Sequence, residues 1–246
     1  MKRESINNDG EVIDYEVIYR PAVTRRLHLE LGADGLLQVV APRRWSRRAI
    51  HSTLQQRAPH VARFVTRARL RQQDLPDYQY ADGEQHPFMG EWYPLRFRET
   101  LSARAEVELR DGQICIVRRP VESPVSKKSL QSLMQRWYRR QALQQFTTRL
   151  AAISETASWV TGIPPEMRLR RMKRTWGNCS SRRVITLNPH LLKAPENCID
   201  YVIAHEVCHL RELNHGKAFY ALQDELFPGW REAKAHLRTK GHIYLV

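Results

Sequence analysis

Residues 205 to 216, HEVCHLRELNHG, follow the apolar run IDYVIA and put three histidines and two glutamates where a buried helix would otherwise continue. Imidazole nitrogens in an apolar helix need a compensating partner, because a polar group taken from water without one is costly. The four-residue spacing stacks His205 and His209 on one helical face, so both rings can reach a single ion. Glu206 sits about 100 degrees further round the axis, as 3.6 residues per turn dictate. From there it can reach a water on the ion while leaving the ion to the imidazoles. Ile199, Ile203, Val207 and Leu210 form an adjoining apolar stripe that buries the helix. Asn214 and Gly216 tolerate left-handed backbone angles, which predicts that the helix ends there and turns His215 back as a third ligand.

Three neutral imidazoles with one open water position are the donor set of a catalytic zinc site. A structural site usually closes with a fourth protein ligand, often cysteine, and Cys208 points elsewhere on the helix. The expected centre is one Zn2+ held by His205, His209 and His215. Glu206 is the general base, taking the water's proton and passing it to the leaving amine. Peptide-bond hydrolysis is the expected reaction, on a protein or peptide substrate. An oxyanion stabiliser stays open among Trp176, Asn178, Arg182, Tyr201 and Tyr220.

The remaining sequence reads as α+β. A sheet-rich N-terminal domain over residues 1–120 precedes a compact domain over residues 121–246 that carries the HExxH helix. The segments VIDYEVIYR and RLHLELGADGLLQVVAP alternate in polarity around Asp34-Gly35, an antiparallel start. Ser46 offers an N-cap for RRAIHSTLQQ, and Pro59 breaks or kinks the helical stretch that carries Val61, Phe64 and Val65. Strand signals return in EWYPLRFRE and in AEVELRDGQICIVRR, where Asp111-Gly112 marks another hairpin. Residues 118–127, RRPVESPVSK, have the composition of a linker. Beyond them Leu130, Met134, Trp137, Phe146, Leu150 and Ile153 predict one long amphipathic helix. VITLNPHLL reads as a strand and turn, and Pro195 opens the histidine helix. No internal repeat is apparent.

The histidine spacing also fits the metzincin pattern, but Glu212 stands where that group has glycine and no methionine follows His215. The stretches RTWGNCSSRRVITLNPHLL (174–192), PENCIDYVIAHEVCHLRELNHGKAFY (195–220) and FPGW (227–230) resemble the YgjP-like metallopeptidase family, related to SprT-like and Wss proteins. YADGEQHPFMGEWYPL extends the likeness over nearly the whole chain. The resemblance implies a zincin-type catalytic domain, zinc on His205, His209 and His215, and Glu206 as base. It also implies a sheet-edge strand pairing with the substrate backbone, for which VITLN is the segment in place.

A formal net charge of +14 favours anionic partners. Arg168, Arg170, Arg171, Lys173, Arg174, Arg182 and Arg183 could hold a nucleic acid or nucleotide beside the metal. Two other functions therefore stand beside the peptidase. One is a metal-dependent nucleoside triphosphate pyrophosphohydrolase, a reading also attached to this family, although three histidines suit zinc better than the Mg2+ of phosphoryl transfer. The other is a DNA-associated metalloprotease, by analogy with SprT-like and Wss proteins. The four cysteines form no CxxC pair and no apolar run reaches the roughly 18–20 residues of a membrane span, which predicts a cytoplasmic protein with no membrane partner.

Overall fold

A computed structural model of the chain describes residues 3–21, 26–32, 34–101, 105–120, 125–162 and 164–246. Its contacts divide into two compact units, Met1–Leu75 and Pro76–Val246.

In the first unit, strands β1 (Arg3–Asn8), β2 (Glu11–Tyr19), β3 (His28–Leu31) and β4 (Leu37–Ala41) form a sheet of order β1-β2-β4-β3. The outer pairs are antiparallel, but β2 and β4 run parallel. The expected antiparallel start is therefore corrected to a mixed sheet. The parallel register sets Tyr15 beside Leu37 and Val17 beside Val39, so the buried side chains of both strands face one core. Helices α1 (Arg47–Gln56) and α2 (Ala58–Gln73) cover it with Ile50, Leu54, Val61 and Val65. Ser46 Oγ caps α1 by accepting from the Ala49 amide at 3.2 Å. The helical run breaks at Arg57, between α1 and α2, and Pro59 lies in the first turn of α2, where its missing N–H costs no hydrogen bond.

The second unit begins with β5 (Gln85–Phe88), β6 (Glu91–Glu99), β7 (Glu106–Arg110) and β8 (Gln113–Arg118), in the order β5-β6-β8-β7. This repeats the first sheet strand for strand, including the parallel inner pair. The repeat escapes sequence inspection because LELGADGLLQVV and VELRDGQICIV share little beyond an Asp-Gly turn. Asp111 (φ 52°) and Gly112 (φ 71°) both take left-handed angles, the conformation a two-residue hairpin requires.

Helix α3 (Lys127–Thr156) is the expected amphipathic helix, with Leu130, Met134, Trp137, Phe146 and Leu150 buried. These side chains share one core with Leu95, Val107, Ile114 and Ile116 of the sheet. Tyr138 Oη donates to the Pro87 carbonyl at 2.7 Å and Arg140 Nη2 to the Val107 carbonyl at 3.0 Å. The position near residue 120 expected as a domain boundary thus lies inside the second unit. Of the expected linker 118–127, residues 121–124 lie outside the described residues.

The chain continues through β9 (Glu166–Leu169), β10 (Gly177–Cys179), β11 (Val184–Leu187), a 3-10 helix at Pro189–Lys193, and helices α4 (Glu196–Cys208), α5 (Lys217–Leu226) and α6 (Trp230–Tyr244). The three-stranded sheet has the order β10-β11-β9. Helix α4 is the central element. Cys198, Ile199, Tyr201, Val202, Ile203, Ala204 and Val207 are all buried, so it is covered all round rather than along the single expected stripe. Two contacts fix its start. Gly90, at φ +91°, approaches Pro195 so closely that a Cβ there would lie 2.8 Å from Pro195 Cα, and Arg149 of α3 binds Asp200 at 2.7 Å and Glu196 at 2.6 Å. Among the described residues no helix is long and apolar enough to cross a membrane.

Candidate metal centre

His205 occupies the last turn of α4, which stops at Cys208 with His209 as its C-cap. The helix does not run on to Asn214 as expected. Short turns take over, with the Arg211 and Glu212 amides both bonded to the Cys208 carbonyl at 3.1 and 3.0 Å. Neither Asn214 nor Gly216 takes a left-handed angle; Gly216 has φ −87° and caps the N-terminus of α5. The chain reverses through ordinary backbone angles and still returns His215 to the other two histidines.

One ring nitrogen from each of His205, His209 and His215 can be chosen so that all lie within 4.8 Å of one another. The Nε2 atoms of His205 and His215 are 3.0 Å apart. Nitrogens around a tetrahedral zinc, at about 2.0–2.1 Å from the ion, are separated by about 3.3 Å, so small ring rotations would let the three hold one ion. His209 Nδ1 donates to the Glu212 carbonyl at 2.9 Å, which leaves Nε2 as the free donor atom. Burial, and then the neighbouring His209 and His215, push the His205 pKa down to about 4. Burial likewise lowers that of His215, followed by His209. Neutral imidazole is the form that binds a metal.

Phe219, fully buried, places its ring 4.9, 4.6 and 4.7 Å from the His205, His209 and His215 rings. Gln223, also fully buried, lies one turn further along α5, close enough to act on His205 but without hydrogen-bond geometry at either amide atom.

Glu206 is 4% exposed, and its Oε2 has no hydrogen-bond partner among the described residues. Burial raises its pKa to about 8. Its carboxyl group packs against the backbone of Gly177 in β10. A buried carboxyl one residue from a metal-capable imidazole, with a free oxygen, is the equipment of a proton carrier.

Of the oxyanion candidates, Tyr201 (5.9 Å from His205 between ring centres) and Tyr220 (6.4 Å from His215) neighbour the histidines. Asn178 turns its amide to Met172 Sδ at 3.5 Å, Trp176 packs on Gly241, and Arg182 is exposed between β10 and β11. The seven basic residues from Arg168 to Arg183 are all exposed, and Arg168 is paired with Glu166 at 2.6 Å. Gly177, Phe219 and Gln223 were not identifiable from sequence spacing, since each acts through a spatial neighbour. The short motifs WGN and HGKAFY are the local signals that carry Gly177 and Phe219.

The substrate-strand expectation needs correction. β11, which holds VITL, is paired on both sides, parallel to β9 and antiparallel to β10, so it has no free edge. The edge strand beside α4 is β10. Trp176 and Ser180 direct backbone groups toward β11. By the alternation of antiparallel pairing, Gly177 and Cys179 direct theirs outward.

A family model described as YgjP-like, metallopeptidase domain, matches residues 25–240. No curated protein matches the chain. Two solved structures are similar. The metallopeptidase zymogen abylysin of Pyrococcus abyssi is 25% identical, with a TM-score of 0.36, covering 39% of this chain and 93% of that one. The metallopeptidase zymogen jannalysin of Methanocaldococcus jannaschii is 19% identical, with a TM-score of 0.35, covering 39% of this chain and 95% of that one.

Proposed function

The chain belongs to the YgjP-like metallopeptidase family, and from that premise we propose that it is a zinc-dependent peptidase whose zincin-like catalytic domain holds one Zn2+ on His205, His209 and His215. Membership implies a divalent metal; the all-imidazole donor set argues for zinc. The observation that carries the proposal is the convergence of the three donor nitrogens within 4.8 Å, next in sequence to a carboxyl group that is 4% exposed.

Zinc in such a site supplies a Lewis acid for the scissile carbonyl and acidifies water. Glu206 would accept the proton of the attacking water and deliver it to the leaving amine, a task suited to a buried carboxyl group with one oxygen free of other partners among the described residues. The outward backbone groups of Gly177 and Cys179 pair with an extended protein or peptide substrate beside Glu206. Tyr201 and Tyr220 are the side chains best situated to donate to the developing oxyanion. The exposed arginines between residues 168 and 183 attract an anionic partner, nucleic acid or nucleotide, by their field. The reaction runs in the cytoplasm, in keeping with four cysteines that form no disulfide. Nucleoside triphosphate hydrolysis is less well supported. Magnesium needs carboxylate oxygens, and among the described residues the histidine trio is the one cluster of three or more metal-ligating side chains.

The test compares zinc-loaded wild type with Glu206→Gln on an unfolded protein and on nucleoside triphosphates. Proteolysis is expected in the wild type and a fall of about 10²–10⁴ in the variant, with zinc content unchanged. Triphosphate turnover without proteolysis would overturn the proposal.

A further inference from the structure

Gln223 is fully buried in α5, and neither its Oε1 nor its Nε2 has a hydrogen-bond partner among the described residues. A buried amide left without partners costs stability, and an apolar side chain of similar size would fill the same place without that loss. Its position shows what the amide is for. Phe219 and Gln223 are four residues apart and share one face of α5, and the Phe219 ring lies 4.9 Å from the His205 ring between centres. That face is turned to the histidines. The Gln223 side chain comes within reach of the His205 ring.

His205 has one nitrogen to offer it. Its Nε2 points to His215 Nε2 at 3.0 Å, the side on which a shared ion would sit, and this leaves Nδ1 for a second partner. His209 has the same arrangement complete, with Nδ1 on the Glu212 carbonyl at 2.9 Å and Nε2 free. A metal-binding imidazole needs an acceptor on its other nitrogen, because a proton held there keeps the lone pair of the ligating nitrogen available. The amide offers one acceptor, its carbonyl oxygen.

We propose that Gln223 is the positioning residue of His205: its Oε1 accepts the Nδ1 proton, which fixes the tautomer of the ring and aims Nε2 at the ion. The proposal rests on the three-histidine metal centre and extends it to a side chain on a separate helix.

Two full-length variants test it, Gln223→Leu, which removes the acceptor, and Gln223→Glu, which keeps one. Nitrogen NMR of the zinc-free chain reads the His205 tautomer. The wild type is expected to hold the proton on Nδ1, and Gln223→Leu to share it between both nitrogens. Zinc affinity, measured by competition with a chromophoric chelator, is expected to fall about 10–100-fold in Gln223→Leu and to stay within about threefold of wild type in Gln223→Glu. Bound Co2+ should keep the wild-type absorption spectrum in both. A merely structural role would move the melting temperature of the zinc-free chain and leave the tautomer alone. The proposal fails if Gln223→Leu keeps the wild-type tautomer or the wild-type zinc affinity, or if Gln223→Glu binds zinc as weakly as Gln223→Leu. It also fails if the cobalt spectrum of Gln223→Leu shows a lost ligand, which would make Gln223 a ligand itself. Absence of zinc binding in the wild type would instead sink the metal centre, and the tautomer of the zinc-free chain would still decide the role of Gln223.

Discussion

A methyl group on Gly177 would lie 2.6 Å from Glu206 Oε1 and 2.8 Å from its Cγ. Glu206 holds its position because residue 177 has no side chain, and Gly177 is not in a left-handed conformation that would itself demand glycine. Gly177→Ala is therefore expected to act by displacing the carboxyl group. A shift of about 1 Å costs about a hundredfold in rate, so turnover should fall by that order while bound zinc persists. Activity within twofold of wild type would remove Glu206 from the proposed chemistry.

Metal removal should affect stability as well as turnover. An ion held by residues from both α4 and the following turn binds the folded chain far better than the unfolded one. At a hundredfold excess over its dissociation constant it adds about 2.7 kcal/mol. Chelation is expected to lower the melting temperature and abolish hydrolysis, with zinc restoring both. His215→Ala should resemble the chelated wild type in calorimetry and bind no stoichiometric metal.

Arg149 ties α3 to α4 through Asp200 and Glu196. Its side chain is 17% exposed, that of Asp200 29%, and that of Glu196 60%, so water competes least with the Asp200 arm. Arg149→Met is expected to cost about 1–3 kcal/mol, the range for charged hydrogen bonds and their orphaned partners. Asp200→Asn should cost more than Glu196→Gln. Urea midpoints check the order, and the reverse ranking would contradict it.

His190 supplies a pH dependence outside the metal site. Burial first, then Lys193 and Arg171, lowers its pKa from 6.5 to about 4, while its Nδ1 donates to the Tyr244 carbonyl at 3.0 Å. Between those two values the unfolded chain binds a proton that the folded chain refuses. Stability is thus expected to fall as pH drops from about 6.5 toward about 4, by up to about 3 kcal/mol from this residue. His86, whose pKa burial also lowers, adds to the same slope. His190→Gln should flatten the curve in thermal melts across that range; an unchanged slope would count against this assignment.

Local structure was legible in the sequence. Ser46 announced the start of α1, the Trp137 and Phe146 spacing announced α3, and His205, Glu206, His209 and His215 stood out because their spacing is itself the geometry. Nonlocal choices were not legible. Nothing in VITL shows whether it is an edge or an inner strand, since that depends on β9 and β10 meeting it from separate stretches of chain. The parallel β2–β4 pair is set by which side chains share a core, and alternation alone does not reveal it. The helix end moved from Asn214 to Cys208 because a turn need not use the left-handed angles that Asn and Gly permit.

The hairpin tip at Met89-Gly90 acts as an abutment for α4. Met89 N–H bonds to the Leu192 carbonyl at 2.8 Å, and Gly90 meets Pro195 at the head of α4. An excised fragment starting at residue 121 would lose that abutment. It would also lay bare Met134, Trp137 and Phe146, which share a core with the four strands before them. A piece of this chain that keeps those strands packed on α3 therefore starts near Pro76, a long way upstream of the three histidines.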